Sequence, residues 1–213
     1  MKPGMEVKTA IETGDAGRLR RLLDAERTWA NALVSWGKNG CNRTHPLHYV
    51  SDKVFDGTLP RDVALPLIDV LLAAGADVNF QTDGKGDTPL IGAASLGAEE
   101  VGLRLLEAGA QVERRGLFGE TALHWAALLG EEQLAARLIP RADLTLRDER
   151  YHATPFGWAI EGWTSGAAGS RGRYREVVAL LIAAGAPIEP RWFESDEVRA
   201  NPTLLAVLRA GDR

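Results

Sequence analysis

The sequence predicts an all-α solenoid of helix-turn-helix units. Two short motifs recur in step along the chain, and each recurrence carries its own helix-start and helix-stop residues. The composition suits a folded domain, since 45% of the 213 residues are apolar and 25% are charged, which argues against global disorder.

The first motif is Thr88-Pro-Leu-Ile-Gly-Ala-Ala94. It returns 33 residues later as Thr121-Ala-Leu-His-Trp-Ala-Ala127, and after another 33 as Thr154-Pro-Phe-Gly-Trp-Ala159. An earlier copy is His45-Pro-Leu-His-Tyr-Val50. Each Thr can cap a helix with its hydroxyl oxygen, and Pro46, Pro89 and Pro155 then occupy the first helical position, where no N–H is needed. Ala93-Ala94 and Ala126-Ala127 allow close helix approach, and Gly97 and Gly130 end the first helix. A second helix follows, with apolar residues at helical spacing at Val101, Leu105 and Leu106, and again at Val177, Leu180 and Leu181. It closes on Ala-Gly-Ala, where Gly75, Gly109 and Gly185 supply the left-handed residue. Polar turns such as Asp83-Gly-Lys-Gly-Asp87 join the units.

The Thr-Pro-Leu-His-x-Ala start, the Gly-Ala-Asp-Val-Asn finish at 75–79 and the period together resemble the ankyrin repeat over nearly the whole chain. His45 departs from the pattern where a capping Thr is usual, as do Ile91 and Gly157 at the first-helix His. A residue is missing near Pro140-Arg141, so that second helix should stop early. The implied organisation is a single ankyrin-repeat domain over 1–213: an N-terminal cap at 1–40, four central repeats over 41–189 and a C-terminal cap at 190–213. Caps are atypical because one face meets water. Two repeats carry insertions, near 52–65 and 162–173. The second is glycine-rich and basic and is expected to be a mobile, solvated excursion. Removing Ser165–Gly172, or filling Gly169, should then be nearly silent.

Little in the chain points to catalysis. The four histidines, His45, His48, His124 and His152, lack the spacing of a one-face metal site, and His48 and His124 fall where the ankyrin repeat uses histidine to brace turns. Gly166-Ala-Ala-Gly-Ser-Arg-Gly-Arg173 lacks the Lys-Ser/Thr end of a phosphate loop. The lone Cys41 excludes an internal disulfide and is read as an inert turn thiol. Glu99-Glu100 and Glu131-Glu132 start second helices, where they complement the helix dipole, and Asn79 is read as a turn stabiliser. No cofactor or metal is expected. Net charge is −4, which disfavours nucleic acid. No apolar run suggests a secretory signal or membrane span, so the expectation is a soluble cytoplasmic protein without a membrane partner.

The resemblance implies that the chain binds another protein through a concave surface of turn tips and first-helix faces. On the repeat positions, the apolar candidates are Leu117, Phe118, Leu128 and Leu129, flanked by Leu96 and Tyr151. Lys85, Asp87, Glu120, Arg150 and Glu161 are expected as a polar rim, with Trp163 as a contact from the second insertion. Trp125 and Trp158 should pack between repeats, while Trp29, Trp36 and Trp192 cover the ends. Arg171, Arg173 and Arg175 could meet an acidic surface. Compact ankyrin proteins often act as inhibitors, immunity proteins or adaptors. The first reading is therefore a non-catalytic inhibitor or bacterial toxin-immunity protein. A scaffold or effector is the alternative, and an enzyme or small-ligand binder using His152, Glu161 and the arginine-rich insertion is a third. Oligomeric state is not legible.

Overall fold

The computed structural model describes residues 3–36, 42–81, 84 and 86–211. Cys41, Asp83 and Lys85 lie outside the described residues. The chain divides into two compact units, one ending at Gln111 and one beginning at Val112.

In the N-terminal unit, α1 (Pro3–Glu12) and α2 (Ala16–Ala25) form the first helix pair. Asp15 caps α2, its Oδ1 accepting the Arg18 N–H at 2.7 Å. A 3-10 turn at Arg27–Asn31 leads into an antiparallel ribbon of β1 (Val34–Trp36) and β2 (Asn42–Thr44), with Val34 opposite Thr44. The helical reading did not foresee this ribbon. Trp36 packs there against Tyr49, with ring centroids 5.4 Å apart. Two further pairs follow: α3 (Pro46–Phe55) with α4 (Arg61–Ala73), and α5 (Pro89–Ser95) with α6 (Glu99–Glu107). His45 caps α3 in place of threonine, its Nδ1 accepting the Leu47 N–H at 3.3 Å, while Nε2 faces Asn31 Oδ1 at 2.9 Å. Thr88 Oγ1 accepts the Ile91 N–H at 3.2 Å to open α5. The extra residues near 52–65 lengthen α3 and leave a short turn before α4, and Leu59 within that turn is buried.

In the C-terminal unit, α7 (Ala122–Leu129) pairs with α8 (Glu132–Leu138), which stops before a 3-10 turn at Ile139–Arg141, as Pro140 requires. Next come α9 (Pro155–Ser165) and α10 (Tyr174–Ala183). The short α11 (Arg191–Glu194) and α12 (Asp196–Arg199) precede α13 (Pro202–Gly211), which packs on α10. Thr154 Oγ1 caps α9 through the Gly157 N–H at 3.3 Å. At Thr121 the His124 ring closes the turn, Nδ1 accepting the Thr121 N–H at 3.1 Å.

The segment at 162–173 is exposed over residues 165–167 and 169–171, as a solvated excursion would be, but it takes regular structure. Helix α9 runs through Ser165 and is closed by left-handed Gly166, and a 3-10 turn at Gly169–Arg171 follows. The Ala168 N–H donates to Tyr174 Oη at 2.5 Å, and the Arg173 N–H donates to the Gly130 carbonyl at 2.9 Å. Deleting Ser165–Gly172 would therefore remove the end of α9 and the partner of Tyr174. Arg173 is committed too, to Glu132 at 3.2 Å and Glu176 at 3.4 Å.

The apolar stripes form the core in both units: Leu47, Leu71, Leu90 and Leu105 in one, Leu123, Leu134, Phe156 and Leu181 in the other, all without solvent exposure. Side chains then bridge from repeat to repeat. Asn31 Nδ2 donates to the Gly75 carbonyl at 2.9 Å, and Asn31 Oδ1 accepts the Asp77 N–H at 2.7 Å. Asn79 Oδ1 accepts the Gln111 N–H at 2.8 Å, which is the turn-stabilising role read for it. Glu113 accepts the Asp143 N–H at 3.1 Å. His48 Nε2 meets the Asp87 carbonyl at 3.0 Å.

Burial pushes His48 and His124 down to about 4, and burial with the neighbouring His48 pushes His45 down to about 3. All three are neutral in the fold, whereas the unfolded chain takes up these protons near the ordinary histidine value of 6.5. Stability should be intact above that pH and fall as pH drops from there toward about 4, by several kcal/mol in total. Thermal melts at about pH 7.5 and about pH 4.5, on either side of most of that window, measure the loss. An unchanged Tm would contradict the neutral assignment.

Gly109 has φ of 91° and Gly169 has φ of 57°. A Cβ added at either position would have no atom within 4 Å, so only backbone strain opposes substitution. The expected silence at Gly169 is thereby overturned. Valine at either position is expected to cost about 1–3 kcal/mol in denaturant unfolding. A Gly109→Val protein that unfolds like the parent would remove the helix-end assignment.

Candidate functional site

Two turn fingers in the C-terminal unit present the candidate surface. In the first, the Gly116 N–H donates to the Glu120 carbonyl at 2.7 Å, and Glu120 Oε2 accepts the Phe118 N–H at 2.8 Å. Glu120 is 2% exposed, so it is not the solvated rim charge expected from its turn position. It is a buried brace that holds the tip from within. The tip side chains point outward, with Leu117 64% and Phe118 43% exposed.

The second finger is built around Asp148, which is buried. Its carboxylate accepts the N–H groups of Arg150, Tyr151 and Ala153 at 2.8, 2.6 and 3.0 Å, and the Trp158 indole N–H at 3.1 Å. Burial alone would raise this acid. The four donors outweigh burial and hold it below the usual carboxylate range. Tyr151 is left 62% exposed at the tip. The fingers are tied together, since the Glu149 N–H donates to the Phe118 carbonyl at 2.7 Å and Arg115 donates to the Gly119 and Arg147 carbonyls, each at 3.0 Å. The Arg150 guanidinium then lies over both tip rings, 5.1 Å from the Phe118 centroid and 5.3 Å from that of Tyr151.

Beside the second finger is a cleft of about 630 Å³, lined by Trp125, Leu128, Tyr151, Trp158, Glu161 and Trp192 among others. Trp158 meets Trp125 edge-on, with centroids 4.9 Å apart and planes at 82°, and meets Tyr151 at 5.9 Å and 71°. Helices α7 and α9 approach closely because residue 162 is glycine; a Cβ there would lie 2.0 Å from the Leu128 carbonyl oxygen. That approach brings Leu128 and Glu161 to one cleft.

The structure thus gathers Leu117, Phe118, Arg150 and Tyr151 at the finger tips, with Leu128 and Glu161 in the adjoining cleft. Leu129 is half-buried on α7. Trp163 is half-buried on α9 and does not line the cleft, whereas Trp192, expected as an end cover, forms part of its wall. Leu96 belongs to the N-terminal unit, half-buried where α5 ends. Asp148 was missed altogether. Its signal is an acid six residues before the capping Thr154, concealed within the charge run Arg147-Asp-Glu-Arg150. Among the described residues no group of three or more His, Cys, Asp or Glu side chains is placed to hold a metal ion, and no helix is long and apolar enough to cross a membrane.

Helix pairs joined by turn fingers define an all-α helical-repeat protein. Residues 61–148 match the family model for ankyrin repeats (3 copies), which supports an ankyrin-repeat protein. A comparison with curated proteins finds no match. Ankyrin repeats are protein–protein interaction modules, so binding of another protein is the activity that they indicate.

Removing the buried acceptor should loosen the first finger. Glu120→Ala is expected to lower folding stability by about 1–3 kcal/mol, because the Phe118 N–H loses its partner, and Glu120→Gln should recover most of it. Urea unfolding of both variants tests this, and an alanine variant as stable as the parent would show that the brace does not hold the fold.

Proposed function

We propose that the chain is a non-catalytic binding protein that docks a single partner protein on the finger tips and first-helix face of its C-terminal unit. The observation that carries this reading is an inversion of the usual order. The acids Glu120 and Asp148 are buried, while Leu117, Phe118 and Tyr151 stand in water. Large apolar side chains held rigidly at the surface mark an interface, and their burial on association drives binding. Phe118, Tyr151 and Arg150 are residue types that dominate interface energetics, and here they stack on one another. Leu128 and Leu129 extend the face along α7, and Glu161 and Trp163 extend it along α9.

A single concentrated patch suits a stoichiometric partner, which favours an inhibitor or toxin-immunity role over a scaffold. The net charge of −4 argues against a nucleic-acid partner and is consistent with a cytoplasmic protein partner.

The test is capture of a partner from the native cell, followed by calorimetric titration of the purified pair. Phe118→Ala is expected to weaken binding about thirtyfold, roughly 2 kcal/mol, with little change in Tm. Leu129→Ala should weaken binding and also cost some stability, since Leu129 is half-buried. Leu123→Ala, in the fully buried core, should cost about 2–5 kcal/mol of folding free energy. Undiminished affinity in Phe118→Ala would move the interface elsewhere. Several unrelated partners captured through this face would favour the scaffold.

A further inference from the structure

We propose that the aromatic cleft of the C-terminal unit takes a cationic side chain, the lysine or arginine head group of a basic docking segment in the partner. This rests on the docking reading above and names the chemistry that it would select.

Four aromatic side chains, Trp125, Tyr151, Trp158 and Trp192, line one cleft of about 630 Å³. Trp158 stands nearly perpendicular to Trp125 and steeply inclined to Tyr151, at 82° and 71°, so the rings form a corner instead of a flat stack. Ring faces carry partial negative charge and attract cations. The protein already uses this attraction twice beside the cleft: Arg191 lies 4.6 Å over Trp192, and Arg150 lies 5.3 Å over Tyr151.

The charged lining decides the sign of the ligand. Two ionised side chains line the cleft, Glu161 and Arg191. Arg191 is compensated, its Nε lying 3.0 Å from Glu189 Oε2. Glu161 is exposed, and its carboxylate makes no hydrogen bond or ion pair among the described residues. The same carboxylate borders an adjoining cleft of about 250 Å³ that also contains Glu197. An anion would meet an unpaired carboxylate. A neutral apolar group would strip water from it and return nothing. A cation gains both the carboxylate and the ring faces, and a long aliphatic stem packs along the indoles as its head group reaches Glu161. The net charge of −4 also favours approach of a basic segment.

The experiment follows the indole N–H signals of the intact protein by NMR during titration with n-butylammonium and n-butylguanidinium, which carry the two head groups. The neutral n-butanol and the anion n-butyrate are titrated beside them. The two cations are expected to shift the Trp125, Trp158 and Trp192 signals saturably, and the other two are not. Glu161→Gln, an isosteric change at an exposed position, should weaken the cations about five- to tenfold with Tm unchanged, and Trp192→Leu should do likewise. Equal binding of n-butanol would make the cleft merely apolar and overturn the proposal. Stronger binding of n-butyrate would assign the cleft to Arg191, and no saturable shift at tens of millimolar probe would leave it without a ligand role; either overturns the proposal. If Glu161→Gln leaves partner affinity intact while Phe118→Ala still reduces it, the cation inference fails and the docking face stands.

Discussion

The fold depends on satisfying the backbone of its turns. Between helix pairs the chain leaves amides and carbonyls with no helix or sheet to pair them, and most lie at the surface, where a side-chain partner fixes the turn in place of water. The partners come from side chains one repeat away in sequence. Asn31 serves Gly75 and Asp77, Asn79 serves Gln111, His48 serves Asp87 and Glu113 serves Asp143. A repeat alone cannot supply these bonds, so each repeat needs a neighbour for polar as well as apolar reasons. Burial keeps His48 neutral and outweighs the Asp87 carbonyl, which by itself favours the protonated ring.

The candidate site extends the same principle outward. The fingers at 116–120 and 148–153 project beyond the helices, where neighbouring turns cannot reach every amide. Two acids inside the fingers take over that task. Glu120 holds the Phe118 N–H, and Asp148 gathers three amides together with the Trp158 indole N–H. With the backbone secured from within, the tip side chains are free to be apolar. Asp148 also links the finger to the cleft, because the indole it fixes is the one against which Trp125 and Tyr151 are set. In the cleft the indole N–H groups of Trp125 and Trp192 are buried with no hydrogen-bond partner among the described residues. Such costs are tolerated where a surface serves binding more than folding.

Helix order, helix starts and most core positions were legible in the sequence because their signals are local and periodic. A capping Thr before Pro, an Ala pair and a Gly after an apolar stripe each act within one or two turns, and the 33-residue recurrence repeats them. Even the early stop at Pro140 follows from one ring without an N–H. The apolar finger tips were legible for the same reason, since Leu117 and Phe118 occupy turn positions where the period calls for polar residues.

What the tertiary structure decided was where the chemistry-bearing side chains face. Glu120 reads as a rim charge by position and is buried, because its acceptor is needed two residues away inside the same turn. Asp148 is one charge in a run until the folded finger turns four donors toward it. The glycine-rich stretch at 162–173 reads as a solvated excursion, yet Gly162 is required by the Leu128 carbonyl and Arg173 N–H by that of Gly130. Trp192 reads as an end cover and lines the cleft with residues more than thirty positions earlier. Residue type and spacing determine which helices form. Whether a carboxylate meets water or amides, and whether a tryptophan covers an end or lines a cleft, depends on contacts between segments far apart in sequence, which form only when the repeats pack.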